Sequence, residues 1–184
     1  MSTYILLAIV AVALYGVFLY NGLVRARQMA EEAWSGIDVQ LKRRADLVPN
    51  LVETVKGYAS HERETLDAVI AARNRAIAVP AGDVEGRAAA EGVLGQALGK
   101  LFALSEAYPD LKANENFLEL QRALDSLEGE VQMARRYYNG ATRDLNVKVE
   151  SFPSNLVASR FGFAKKPYFE IDDPADRAVP SVTF

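Results

Sequence analysis

Side chains able to do acid–base or metal chemistry are sparse in this chain and form no known catalytic pattern. His61 is the single histidine, and Glu62 and Glu64 stand close to it. A zinc site of the HExxH type needs a second histidine one helical turn further on, which the sequence lacks. The chain also contains no cysteine, which excludes thiolate catalysis, disulfides and cysteine-ligated metal. We therefore interpret His61 as a surface residue and assign no catalytic, cofactor-binding or metal-binding residues.

Motifs of nucleophilic and phosphate chemistry do not occur in the sequence either. We find no GxSxG, Walker or GxGxxG pattern. Adjacent carboxylates occur at Glu31-Glu32 and at Asp172-Asp173, in stretches that we expect to be solvated. The net charge of −3 argues against nucleic acid as a partner, because phosphate binding needs a concentrated positive field. These features predict a protein that is not an enzyme and that needs no cofactor.

The densest group of unusual polar and aromatic residues consists of Trp34, Asp38, Arg43, Arg44 and Asp46. Pro49 follows this group, and a proline inside a helix removes one backbone hydrogen bond and favours a kink. Helical periodicity predicts that Arg43, Arg44 and Asp46 lie on the outer face. Two interpretations of the group stay open. It is either a buried or half-buried polar network that braces the kink, or a contact site for another subunit or for lipid headgroups.

The clearest single element in the sequence is an apolar amino-terminal run, in which no charged side chain occurs before Arg25. From Thr3 to Val24 it would form a helix of roughly 33 Å at about 1.5 Å per residue, enough to cross a hydrocarbon core of about 30 Å. We predict an uncleaved transmembrane anchor over residues 1–24. The alternative is a signal peptide cleaved after Ala11-Val12-Ala13. It is disfavoured because the head carries no Lys or Arg and the apolar run continues beyond that site.

The positive charges near the span all lie on its carboxyl side. Arg25 and Arg27 come first, and we expect both to contact lipid headgroups. The positive-inside rule then predicts a single-pass protein with its soluble body in the cytoplasm. A periplasmic or extracellular body stays open because the charge bias is modest.

Long helices account for most of the remaining sequence, so we predict an all-α fold. An apolar stripe over residues 25–77 keeps its phase across Pro49, which favours one kinked helix over two. A second helix should begin after the N-cap Asp83 and continue to about Ala107. Within it, the Gly95-x-x-x-Gly99 pattern predicts close packing against a neighbouring helix.

A third helix, from about Leu111 to Glu150, carries apolar residues in the alternating three–four spacing of a coiled-coil seam. Short loops between these helices predict an antiparallel up-and-down bundle over residues 25–151. An aromatic carboxyl-terminal tail, residues 152–184, follows the bundle. We expect its end, from Asp172 to Phe184, to be mobile.

The tail is unusually rich in aromatic side chains, namely Phe152, Phe161, Phe163, Tyr168, Phe169 and Phe184. One interpretation is that these rings pack on the bundle. The other is a docking surface for lipid or for another subunit, formed by Phe161, Phe163, Tyr168 and Phe169.

Several long motifs resemble the LemA family of bacterial membrane proteins. They are Tyr20-Asn21-Gly22-Leu23-Val24, the stretches 32–44 and 46–52, Val55-Lys56-Gly57-Tyr58-Ala59, the stretches 108–114 and 134–139, and Phe152-Pro153. The resemblance implies one amino-terminal transmembrane helix in the bacterial inner membrane and an up-and-down helical bundle. It supplies no catalytic residues. A relative in magnetosome-forming bacteria is associated with membrane invagination, and family members are often encoded near membrane peptidases.

We therefore expect a non-enzymatic scaffold that self-associates and organises or shapes the membrane. Its partners would be membrane lipids and further copies of the same chain. The alternative is an adaptor that recruits or regulates another membrane protein, such as a membrane peptidase.

Overall fold

The computed structural model describes residues 1–170, and all regular structure in this part of the chain is helical. The helices are α1 (Ser2–Lys56), α2 (Arg63–Ala78), α3 (Val84–Ser105), α4 (Pro109–Lys112), α5 (Glu115–Glu150) and α6 (Ser154–Phe161). The predicted all-α class is confirmed. The predicted boundaries after residues 24 and 151 stay predictions, and the mobile end predicted from Asp172 to Phe184 lies outside the described residues.

Helix α1 ends earlier than the apolar stripe over residues 25–77 predicted. α1 continues through Pro49 but stops at Lys56, and a turn separates it from α2. The prediction of one helix to residue 77 was wrong because the spacing of apolar residues does not change at the break between Lys56 and Arg63. Ala59 is buried within the turn itself, so the apolar spacing looks continuous across it. Gly57, a weak helix former, begins the turn.

Pro49 leaves the carbonyl of Ala45 without its usual helical donor, since proline has no N–H. Arg73 of α2 replaces that donor, because its Nε lies 3.1 Å from the Ala45 oxygen. Ala45 is fully buried, so an unpaired carbonyl there would be costly. The long-range hydrogen bond therefore explains how α1 accommodates a proline inside its packed segment.

The chain groups into two compact units, and one of them contains Asp38–Met133 together with the buried ring of Phe169. Its helices alternate in direction. The Tyr58 hydroxyl accepts a hydrogen bond from Asn114 Nδ2 at 2.9 Å, and Arg44 pairs with Glu128, which makes α1 and α5 antiparallel. The rings of Phe102 and Phe117 meet edge to face with their centres 6.2 Å apart, which places α3 against α5. The up-and-down arrangement is that of the predicted bundle.

The sequence correctly indicated the N-cap of α3 and most of the buried apolar seam of α5. The carboxylate of Asp83 accepts a hydrogen bond from the Gly86 N–H at 2.9 Å, as expected of an N-cap. Six residues of the seam are buried, namely Phe117, Leu124, Val131, Tyr138, Ala141 and Leu145. The predicted close approach is wrong for Gly99, since a Cβ there would have no neighbour within 4 Å, whereas a Cβ at Gly95 would contact Nη2 of Arg44 at 3.5 Å.

The other unit contains Met1–Ile37 and Ala134–Tyr168. Here α1 and α5 are antiparallel, because the Trp34 ring lies 5.4 Å from that of Tyr138 and Lys148 Nζ lies 3.3 Å from the Gly22 carbonyl oxygen. After a cis Phe152-Pro153 peptide bond, α6 begins. It ends at Gly162, whose φ of 72° is a left-handed conformation that glycine adopts without strain.

Candidate membrane interface and buried ion network

The amino-terminal part of α1 presents large apolar side chains that nothing in the described chain covers. Leu6, Val12 and Phe18 are all strongly exposed. An 18-residue window of this helix has a mean hydropathy of 2.2, and none of it is buried. By length and composition α1 can therefore cross a membrane, as the predicted anchor requires. The side on which the body lies stays a prediction.

The two arginines expected at headgroup level have different surroundings. Arg25 is exposed, whereas Arg27 is half-buried and its guanidinium carbon lies 5.1 Å from the centre of the Phe163 ring. The Arg27 Nε is buried without a hydrogen-bond partner in the structure. Lys148, which the sequence did not single out, joins this region through its hydrogen bond to Gly22.

The aromatic residues of the tail do not form one exposed surface. Phe163 and Phe169 are buried, whereas Phe161 and Tyr168 are exposed. The Phe161 and Phe163 rings lie 4.9 Å and 5.7 Å from the ring of Tyr20. Packing therefore accounts for part of the predicted docking set, and Phe161 in particular both packs against α1 and keeps an open face.

Residues 162–168 return along α5, and Asn146 holds them in place. Its Nδ2 donates to the Lys166 carbonyl oxygen and its Oδ1 accepts from the Lys166 N–H, both at 2.9 Å. The Tyr138 hydroxyl donates to the Pro167 carbonyl oxygen at 2.9 Å, and burial raises the pKa of that phenol. Sequence reasoning gave Asn146 no role, since nothing local distinguishes a tail-binding asparagine from a solvated one.

A buried ion network lies between α1, α3 and α5. Arg87 Nε donates to the Glu91 carboxylate at 3.1 Å, and Arg44 Nη1 lies 3.9 Å from the same carboxylate and 3.2 Å from Glu128. Arg87 also pairs with Asp38 at 3.5 Å. The Glu91 side chain has no solvent exposure, and burial raises its pKa although both arginines oppose that shift. Removing either arginine would leave a buried carboxylate with too few partners.

The structure separates the polar cluster that the sequence singled out. Arg44 is buried at 8% exposure, so the prediction of an outer-face position was wrong for this residue. Arg43 and Asp46 do lie at the surface, and Arg43 is 3.9 Å from Glu130. Trp34 packs on Tyr138 in the other unit. A periodicity argument missed Arg44 because its partners, Glu91 of α3 and Glu128 of α5, are distant in sequence.

Residues 1–170 hold no group of three or more His, Asp or Glu side chains placed to bind a metal ion. His61 is exposed, at the turn between α1 and α2. Glu62 beside it accepts a hydrogen bond from the Tyr108 hydroxyl at 3.0 Å, which raises the pKa of that phenol. The residues around His61 thus take part in packing the end of the bundle.

A comparison with models of protein families shows to which family this sequence belongs. The model of the family described as LemA family matches residues 33–184 of this sequence. The chain belongs to the LemA family. The resemblance seen in the sequence motifs is thereby confirmed, and the matched part of this LemA-family chain includes every helix from α2 to α6.

Individual relatives are distant but extend over most of the sequence. The chain is 24% identical to magnetosome protein MamQ 2 of Paramagnetospirillum magneticum, covering 87% of this LemA-family chain and 68% of that protein. It is 23% identical to magnetosome protein MamQ of Magnetospirillum gryphiswaldense, with the same coverage. It is also 26% identical to protein LemA of Metamycoplasma hominis, covering 83% of this chain and 69% of the relative.

Proposed function

We propose that this LemA-family chain is a non-enzymatic scaffold that self-associates in the membrane and organises or shapes it. The uncovered apolar part of α1 carries the proposal, because such a surface is stable only in lipid or against other helices. The body would lie on the cytoplasmic side, where Arg25 and Arg27 follow the span. The relatives named as magnetosome proteins are consistent with a role at a membrane.

The environment of Glu91 supports a structural role for the ionisable interior. Glu91 has a raised pKa, which is a feature of many catalytic carboxyls. Its side chain is fully enclosed, however, and its neighbours Arg44 and Arg87 are almost so. A substrate cannot reach this carboxyl, so its altered pKa reflects bundle packing.

The outer face of α2 is where we expect two copies to meet. Ile70 and Ile77 lie two helical turns apart on one face, and both are exposed. Arg63 and Asp67, which carry opposite charges, are exposed on the same side of the helix. Charges of both signs on one surface suit a two-fold interface, in which each patch faces its own copy.

The test is the mass and composition of the complex extracted together with its surrounding lipid. We expect the wild-type chain to form a homomer and the Ile77→Glu variant to shift toward monomer, because a charge in an apolar interface is costly. Val39→Glu is the matched control, since Val39 is 47% exposed and Ile77 is 48% exposed. The control should keep the wild-type mass.

A wild-type chain that stays monomeric in native lipid would overturn self-association. A complex that contains a different membrane protein in fixed proportion, with a single copy of this chain, would replace the scaffold by the adaptor. Equal effects of the two variants would move the interface away from α2.

A further inference from the structure

Helix α6 lies beside the last turns of the membrane span. Ala158 is buried in a small apolar cluster with Leu23 and Phe163, and the Phe161 ring is 4.9 Å from that of Tyr20. Leu23 and Tyr20 both belong to the apolar run that ends at Val24. Since the span places those residues at the edge of the hydrocarbon layer, α6 lies at the same depth.

The surface that α6 and the preceding turn leave open is apolar. Phe152 is 80% exposed, and Leu156 and Phe161 are each 60% exposed. A groove of about 460 Å³ runs between the two helices and is lined by Ala13, Gly16, Val17, Tyr20, Val157 and Phe161. Nearly all of this lining is hydrocarbon, which suits an acyl chain rather than a polar ligand.

Cationic side chains border this apolar surface. The Arg160 guanidinium carbon lies 5.9 Å from the centre of the Phe161 ring, and that of Arg27 lies 5.1 Å from the Phe163 ring. Arg160 is exposed, so its long stem can follow the helix while its charge reaches water or phosphate. The carboxylates nearby are engaged elsewhere, Glu150 with Lys165 and Glu31 with Lys166.

We propose that α6 and Phe152 are embedded in the leaflet from which α1 emerges. Acyl chains of glycerophospholipid fill the groove beside Gly16, and the phosphates contact Arg27 and Arg160. Helices with this division of apolar and basic residues lie about 5–10 Å into the boundary between headgroups and acyl chains. The chain then has a second attachment to lipid beside its span, whether or not it self-associates.

The experiment uses the absence of cysteine from the chain. Full-length Leu156→Cys and Phe161→Cys variants each carry one nitroxide spin label and are reconstituted in vesicles of phosphatidylcholine and phosphatidylglycerol. Collision rates with oxygen and with a water-soluble nickel chelate report on the surroundings of the label. Val39→Cys is the matched control on an exposed apolar residue outside the span. We expect a ratio of oxygen to nickel accessibility several-fold higher at 156 and 161 than at 39.

Labels at 156 and 161 that are as open to nickel as the label at 39 would place α6 in water and overturn the proposal. Shielding from both reagents would mean that protein covers α6, which also overturns it. Because the two positions are read independently, one correctly folded variant, checked by circular dichroism, is enough to decide.

Discussion

At the scale of single residues, two partly buried polar contacts explain features that sequence periodicity could not. Arg73 donates to the carbonyl that Pro49 leaves unpaired, and Asn146 binds the backbone of the returning tail. In each contact the two residues are distant in sequence, so no local sequence pattern predicts the hydrogen bond. The N-cap Asp83 was predictable, in contrast, because its hydrogen-bond partner lies three residues away.

The bond between Arg73 and Ala45 predicts a coupling to Pro49. We expect Arg73→Met to lower the free energy of unfolding by about 1.5–3 kcal/mol, because a buried carbonyl loses a charged donor. In a Pro49→Ala background the cost should be smaller, since residue 49 can then donate to Ala45 itself. Urea unfolding of the two single variants and the double variant measures this coupling. Arg75→Met, at an exposed position, is the control, and strictly additive effects would contradict the assignment.

At the scale of elements, the apolar stripes predicted which faces are buried but not where helices end. Leu66 and Val69 of the predicted stripe are buried, whereas Ile77 is exposed and Ala76 takes the inner position. The apolar stripe continued past the break at Gly57 because the turn is of a length that keeps the spacing of buried residues the same in α1 and α2. Helix ends depend on such turns and on tertiary contacts, which the spacing alone does not contain.

The open surroundings of Gly99 predict a stabilising substitution in α3. Glycine in a helix interior costs about 0.5–1 kcal/mol relative to alanine, and an added Cβ at Gly99 meets no neighbour within 4 Å. Gly99→Ala should therefore raise the melting temperature measured by circular dichroism. Gly82→Ala should lower it, because the φ of 93° at Gly82 is strained for alanine. A loss of stability in Gly99→Ala would show that another molecule packs there.

At the scale of the whole molecule, helical periodicity predicted the all-α class and apolar length predicted a helix able to cross a membrane, while long motifs predicted the family. Apolar length and helical periodicity are global properties that survive many local errors. The enclosed carboxyl of Glu91 was not predictable, because a glutamate in an alanine-rich helix is normally expected to face solvent. Its burial depends on Arg44, for which helical periodicity predicted a position on the outer face.

Glu91 also gives the stability of the folded chain a pH dependence. Its folded-state pKa is raised above the ordinary value of 4.5, so the folded state binds the proton more tightly than the unfolded state. The stability that this group contributes is present below pH 4.5 and is lost as pH rises through the raised value. Unfolding free energies of wild type and Glu91→Gln across this window should therefore diverge, with the wild type losing more as pH rises. Parallel profiles would refute the direction of the shift.

The division of the sequence between the two units also imposes an order on biosynthesis. Residues 38–133 are contiguous, so all four of their long helical segments exist once Met133 has left the ribosome. The unit that contains the apolar part of α1 combines residues 1–37 with residues 134–168, as the bond between Lys148 and Gly22 illustrates. Residues 1–37 are therefore synthesised about a hundred residues before their partners in this unit. Their contacts with α5 and α6 can form only after Phe161 has left the ribosome.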